Sequence, residues 1–144
     1  MKLAGNIFTI LTIFFAALGL AQAKDLKLKF ETAIYSDNKG GKFLLPEGMD
    51  CSDKQIVVAD SGNHRLVRFA IQDRAISFKS EIALSKAYPL LVHLDSTGDI
   101  FVLDGKDRRI MHLSPEGAEK GYLEPTNLPA PNKPVTKSFV IDQE

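Results

Sequence analysis

The sequence predicts an all-β repeat protein built of four-stranded blades behind a short N-terminal helix. Two observations predict it most directly. The stretch from Pro46 to Phe69 returns from Pro89 to Leu113, with the opening prolines 43 residues apart and the strand-ending Asp60 and Asp104 44 residues apart. Within each copy, runs rich in β-branched and aromatic residues are separated by clusters of Gly, Ser, Asn and Asp, the chemistry of strands punctuated by tight turns. Four strands recurring at roughly 40 to 45 residues is the period of β-propeller blades.

The N-terminus stands apart from this pattern. Lys2 supplies a positive start, Ile7 to Leu20 is apolar apart from Thr9, Thr12 and Gly19, and Ala21-Gln22-Ala23 is a small-x-small site. That order predicts a signal peptide, residues 1–23, cleaved after Ala23, and hence a secreted or periplasmic protein. The apolar run is shorter than the roughly 20 residues of a spanning helix, so no membrane association is expected after cleavage. Leu28–Tyr35 partly alternates and precedes Asp37-Asn38-Lys39-Gly40-Gly41, which predicts an outer strand leading into the first blade.

The first repeat, residues 46–88, reads as strands over Met49–Cys51, Gln55–Ala59, Leu66–Ile71 and Ile76–Leu84. Turns fall at Ser52-Asp53-Lys54 and Ser61-Gly62-Asn63. The second, residues 89–133, reads as Val92–Leu94, Ile100–Leu103 and Ile110–Leu113, with a weaker fourth strand near Ala118–Leu123. A third copy begins at Pro134 and reaches Asp142. Propellers close with about four to eight blades. Two blades and part of a third therefore predict a piece of a longer propeller, or else assembly of several copies into a ring.

Composition narrows the function. Apolar residues make up 44% and charged residues 25%, an ordinary globular balance, and Lys+Arg and Asp+Glu each number 18. A neutral chain has little drive toward a phosphate backbone, so nucleic acid is not an expected partner. Arg65, Arg68, Arg108 and Arg109 form at most a small basic rim on the hairpins. The single cysteine, Cys51, forms no internal disulfide and reads as a small buried hydrophobe. No Gly-rich phosphate loop, Gly-x-Ser-x-Gly elbow or Cys-x-x-Cys pair occurs.

Pro46-Glu47-Gly48 followed by Ile56-Val57-Val58-Ala59-Asp60-Ser61-Gly62-Asn63-His64-Arg65-Leu66 closely resembles the NHL repeat. In the second copy Asp107, Arg108 and Ile110 hold the places of Asn63, His64 and Leu66. The resemblance covers about residues 25–144 and implies blades of an NHL-type, six-bladed β-propeller. WD40-type blades share the period, but their Trp-Asp ending is missing from a chain without tryptophan. The signature Pro46, Gly48, Asp60, Gly62, Asn63, His64, Arg65, Pro89, Asp104 and Arg109 is read as structural. Asp60 and Asp104 accept from turn amides, Arg65 and Arg109 reach back to the Asp opening their turn, and Gly62 and Asn63 tolerate positive φ.

Propeller ligands usually sit at the central channel, which singles out Asp50 and His93, equivalent inner-strand positions with Val140 the third. They could share a metal or a proton, or simply pair between blades. Among propellers resembling this one, the peptide-amidating lyase carries histidines directly after the blade-opening proline. Glu47 and Leu90 stand there instead, so that activity is not implied. The expectation is an exported binding or scaffold module for a protein or small ligand, with no cofactor. A fragment of a metal-dependent propeller hydrolase or lyase, holding a divalent ion, is the alternative, and a remnant without independent function is a third reading.

Overall fold

A computed structural model of the chain describes residues 27, 29–85, 87–123, 126 and 135–142. The expected signal peptide, Leu28 and Pro134 lie outside the described residues. The chain divides into two units, 1–33 and 34–144. Of the first, 27 and 29–33 are described, exposed and without strand, with Lys29 Nζ 3.2 Å from Glu31 Oε1. The predicted lead-in strand is therefore not formed over 29–35. In the second unit a bridge between Ser36 and Lys42 is the first ladder pairing, because Asp37 gathers the amides of Lys39 and Gly41 into a local turn.

Two antiparallel four-stranded sheets follow, each in simple up-and-down order. Blade 1 contains β1 (Pro46–Cys51), β2 (Gln55–Asp60), β3 (Arg65–Gln72) and β4 (Ala75–Ala83). Blade 2 contains β5 (Pro89–Leu94), β6 (Ile100–Asp104), β7 (Ile110–Leu113) and β8 (Glu119–Leu123). All eight predicted strands form, and most differ from expectation at one end. The opening strands begin earlier, at the prolines, because Pro46 pairs with Asp60 and Pro89 with Asp104 across a bulge that leaves Glu47 and Leu90 unpaired. The β3–β4 connection is a two-residue hairpin on Asp73 and Arg74, with φ of 50° and 67°, the pairing of positive angles that follows the strand twist.

The blades stack, with β5 running beside β1 and β2. Val57, Ala59 and Leu66 share one face of blade 1, since Ala59 pairs with Leu66. They pack against Val92, Leu94, Ile100, Val102, Met111 and Leu113 of blade 2. This shared core is why neither sheet is a unit by itself: each hides its apolar face on its neighbour. The other face of blade 1 carries Phe69, set edge-on to Phe43 and Phe78. Gly48 permits the close approach of the two opening strands. A Cβ there would lie 2.6 Å from the Leu90 carbonyl oxygen and 3.0 Å from Leu91 Cα.

Cys51 is exposed, which corrects its reading as a buried hydrophobe. Its counterpart Leu94 is buried at the blade interface. Cys51 ends β1 opposite Ile56, on the face of blade 1 against which, among the described residues, no further sheet lies.

Candidate functional site

The repeat signature gathers around the β2–β3 and β6–β7 turns. Asp60 is fully buried. Its Oδ1 accepts the Leu44 amide at 2.7 Å, and its Oδ2 accepts from Asn63 Nδ2 and Arg65 Nε, both at 2.8 Å. Gly62 N–H donates back to the Leu44 carbonyl at 2.7 Å. Blade 2 repeats the device: Asp104 Oδ1 accepts the Tyr88 amide at 2.9 Å, and Gly105 N–H returns to the Tyr88 carbonyl at 2.7 Å. Each buried aspartate thus clamps the chain just before its own blade-opening proline. The expected role as acceptor of turn amides holds for Asp104, which also takes the Lys106 amide. For Asp60 the amide comes from the preceding segment instead.

Two further readings of this turn need correction. Positive φ falls on His64 and on its counterpart Arg108, at 51° and 56°, and on neither Gly62 nor Asn63. Ser61–Asn63 form one 3-10 turn. Gly62 is required for space, since a Cβ there would sit 2.6 Å from the Leu44 carbonyl oxygen. His64 closes the turn toward blade 2: its Nδ1 lies 3.1 Å from the Ala87 carbonyl oxygen and its ring meets Tyr88 edge-on.

Arg65 does reach back to Asp60, and it also binds Asp37 at 2.8 Å and Glu81 at 2.9 Å. Burial alone would pull its basicity down, but the three carboxylates outweigh that and hold the guanidinium well above its ordinary range. Arg65, through its hydrogen bond to Asp37, and the Gly41 and Lys39 amides in turn hold the Asp37 carboxyl below the usual carboxylate value. Arg109 lies over the Tyr122 ring, 4.1 Å from guanidinium carbon to centroid. Arg68 is buried, which removes it from the basic rim considered from sequence, while Arg108 is exposed.

On the inner strands Asp50 and His93 do meet, with His93 Nδ1 3.5 Å from Asp50 Oδ2. Asp50 is already occupied: Oδ2 accepts the Leu94 amide at 2.8 Å, and Oδ1 its neighbour Cys51 at 2.9 Å. The carboxylate is a strap from β1 to β5. His93 rests edge-on against Phe139 of the third copy, 4.8 Å between centroids, while Val140 is exposed. Asp50 and His93 are the two donors available here for a metal; among the described residues no group of three or more His, Cys, Asp or Glu converges.

Sequence reading missed a polar cluster in the outer half of each blade. In blade 2, Asp99 Oδ2 lies 2.6 Å from His112 Nε2 and accepts from Lys120 Nζ. The lysine, then the histidine, hold the Asp99 carboxyl below its usual range, and His112 stacks on Phe101. In blade 1, Arg68 Nη2 donates to Gln55 Oε1 at 3.1 Å. The alternation of β2 could have placed Gln55 on a buried face, but β6 is buried throughout and marks neither the preceding Asp99 nor any of the partners.

The family model of the NHL repeat matches residues 43–69. One solved structure, a luciferin-regenerating enzyme, is 19% identical; the match covers 59% of this chain and 30% of that one, with a TM-score of 0.47. The chain therefore spans less than a third of that enzyme's length. No curated protein matches the sequence. With the blade-opening Pro46 and the Asn63-His64-Arg65 turn both inside the matched residues, the chain carries an NHL repeat, set in the first of two β-propeller-type blades.

Proposed function

We propose that the chain is an exported, non-enzymatic binding module whose stacked NHL-type blades present their inner strands to a protein or small ligand. The observation that supports it most is the use to which Asp50 is put. This inner-strand carboxylate accepts the Leu94 amide and joins the two blades, a constructional role. The signature residues Asp60, Asn63 and Arg65 are likewise spent on bonds within the blade. Export rests on the charge, apolar run and Ala21-Gln22-Ala23 site of residues 1–23.

Two measurements test this reading. Under the binding-module reading, Asp50→Ala lowers the melting temperature and the purified protein carries no stoichiometric divalent ion. A stoichiometric ion that is lost in both Asp50→Ala and His93→Ala would overturn it in favour of a metal-dependent hydrolase or lyase. N-terminal sequencing of the exported protein should begin at Lys24, and recovery of the product with Met1 intact would remove the export claim.

A further inference from the structure

The two repeats act as controls for one another in the outer half of each blade. Counting from Asp60 and Asp104 aligns Gln55 with Asp99 and Arg68 with His112. The outer strands align too. Lys79 is skipped by the pairing between Arg68↔Ser80 and Phe69↔Phe78, as Lys120 is skipped between His112↔Gly121 and Leu113↔Glu119. Blade 2 thus sets one carboxylate, Asp99, against a histidine and a lysine. Blade 1 sets a neutral amide, Gln55, against an arginine, with Lys79 lining the same cleft.

The missing acid leaves Arg68 short of partners. It is 4% exposed, and among the described residues it makes one hydrogen bond, to Gln55, while its buried Nε has no acceptor. Burial pulls the guanidinium below its ordinary range, with the field of Glu116 opposing, but the Glu116 carboxylate itself accepts from Ser114 Oγ. A buried cation with neither a paired acid nor a full set of acceptors is among the costlier features a fold can hold. A cleft of about 610 Å³ lies over it, lined by Gln55, Arg68 and Lys79 from blade 1 and by Leu94, Thr97 and Pro115 from blade 2. Asp53, Lys54 and Asp95 line it as well, and Asp95 Oδ1 is taken by the Thr97 and Asp99 amides.

We propose that this inter-blade cleft binds the carboxylate of a small organic acid, which supplies to blade 1 the acid that Asp99 supplies to blade 2. Planar guanidinium donors suit a carboxylate, and Lys79 adds a second positive group. The site stands independently of Asp50, His93 and export.

The test follows the Arg68 Nε–H resonance of the full chain by nitrogen-15 NMR, assigned by its loss in Arg68→Met. Sodium acetate and succinate are titrated against sodium chloride at equal ionic strength. The expected result is a saturable shift with the carboxylates alone, together with a rise in melting temperature of several degrees near saturation. Gln55→Glu, which builds the acid into blade 1, should raise the melting temperature without ligand and weaken acetate binding tenfold or more. A shift no different from that in chloride overturns the site. So does a Gln55→Glu protein that binds as well as the parent. Stronger binding of inorganic phosphate than of acetate or succinate would refute the carboxylate assignment. A response confined to Glu116→Gln would identify Glu116 as the native occupant and defeat the proposal.

Discussion

Asp60→Ala is the perturbation with the most calculable outcome. The carboxylate is fully buried and holds three donors: the Leu44 amide, Asn63 Nδ2 and Arg65 Nε. Asn63 is exposed, so water can replace its bond at little cost. The Leu44 amide loses its acceptor beside the packed turn, at about 1–3 kcal/mol. Arg65 keeps Asp37 and Glu81 and forfeits one charge-assisted bond, about 1.5–3 kcal/mol before relaxation. Together these come to about 2.5–6 kcal/mol, which brackets the roughly 3–5 kcal/mol cost of removing one partner from a buried pair. Urea unfolding followed by far-ultraviolet circular dichroism should show the midpoint falling by roughly 2 M for a slope of about 2 kcal/mol per M. Asp60→Asn, which keeps an oxygen for Leu44 but not the charge for Arg65, should fall between the two. A cost under about 1 kcal/mol, no larger than that of the exposed Asp53→Ala, would refute the clamp.

Three other outcomes follow from the same geometry. Gly62→Ala should cost more than Gly105→Ala in unfolding experiments, because the added methyl meets the Leu44 carbonyl oxygen at 2.6 Å in the first case and the movable Leu90 side chain at 2.8 Å in the second; equal losses would count against the close approach. Asp37 and Asp99 have depressed carboxyl values in the fold, so their contribution is present above about pH 3.8 and is lost as pH falls through the lower folded values. Stability should be flat above pH 5 and decline in acid, less so in Asp37→Asn with Asp99→Asn, and carbon-13 titration midpoints at or above 3.8 would contradict this. Cys51 is exposed, so one thiol should react with a disulfide reagent in the native protein, and reaction only on unfolding would restore the buried reading.

The blades were legible because their constraints are local and repeated. Proline at the first pairing position, aspartate at the end of the second strand and the β-branched runs between them recur within a few dozen residues. Their spacing, with the turn clusters between the runs, located all eight strands. What escaped were contacts whose partner comes from another segment and holds no equivalent place in the repeats. Asp37 precedes blade 1 and reaches Arg65 across 28 residues; nothing in its own neighbourhood marks it as a partner. Gly62 was read through its torsional freedom, whereas its requirement is steric and set by Leu44. Cys51 alternates like a core residue, and its exposure depends on which face a second sheet covers. Asp50 and His93 were placed together correctly by repeat equivalence, but the Leu94 amide that occupies Asp50 is invisible without the inter-strand distance.

Comparing the copies separates what the fold needs from what it tolerates. Both keep a buried aspartate that clamps the preceding segment, a bulge after the opening proline, a left-handed residue at His64 or Arg108 and a bulged lysine on the outer strand. These features recur because the same backbone path imposes them. At Gln55 and Asp99 the path is equally shared while the charge is not, so backbone geometry cannot be the reason for the difference. The acid in blade 2 is balanced by His112 and Lys120. Where blade 1 has an amide at that position, an apolar or neutral residue would be the less costly neighbour. Instead Arg68 is buried beside Gln55, a cation bonded to an amide rather than to an acid, and the proposed carboxylate ligand would complete that arrangement.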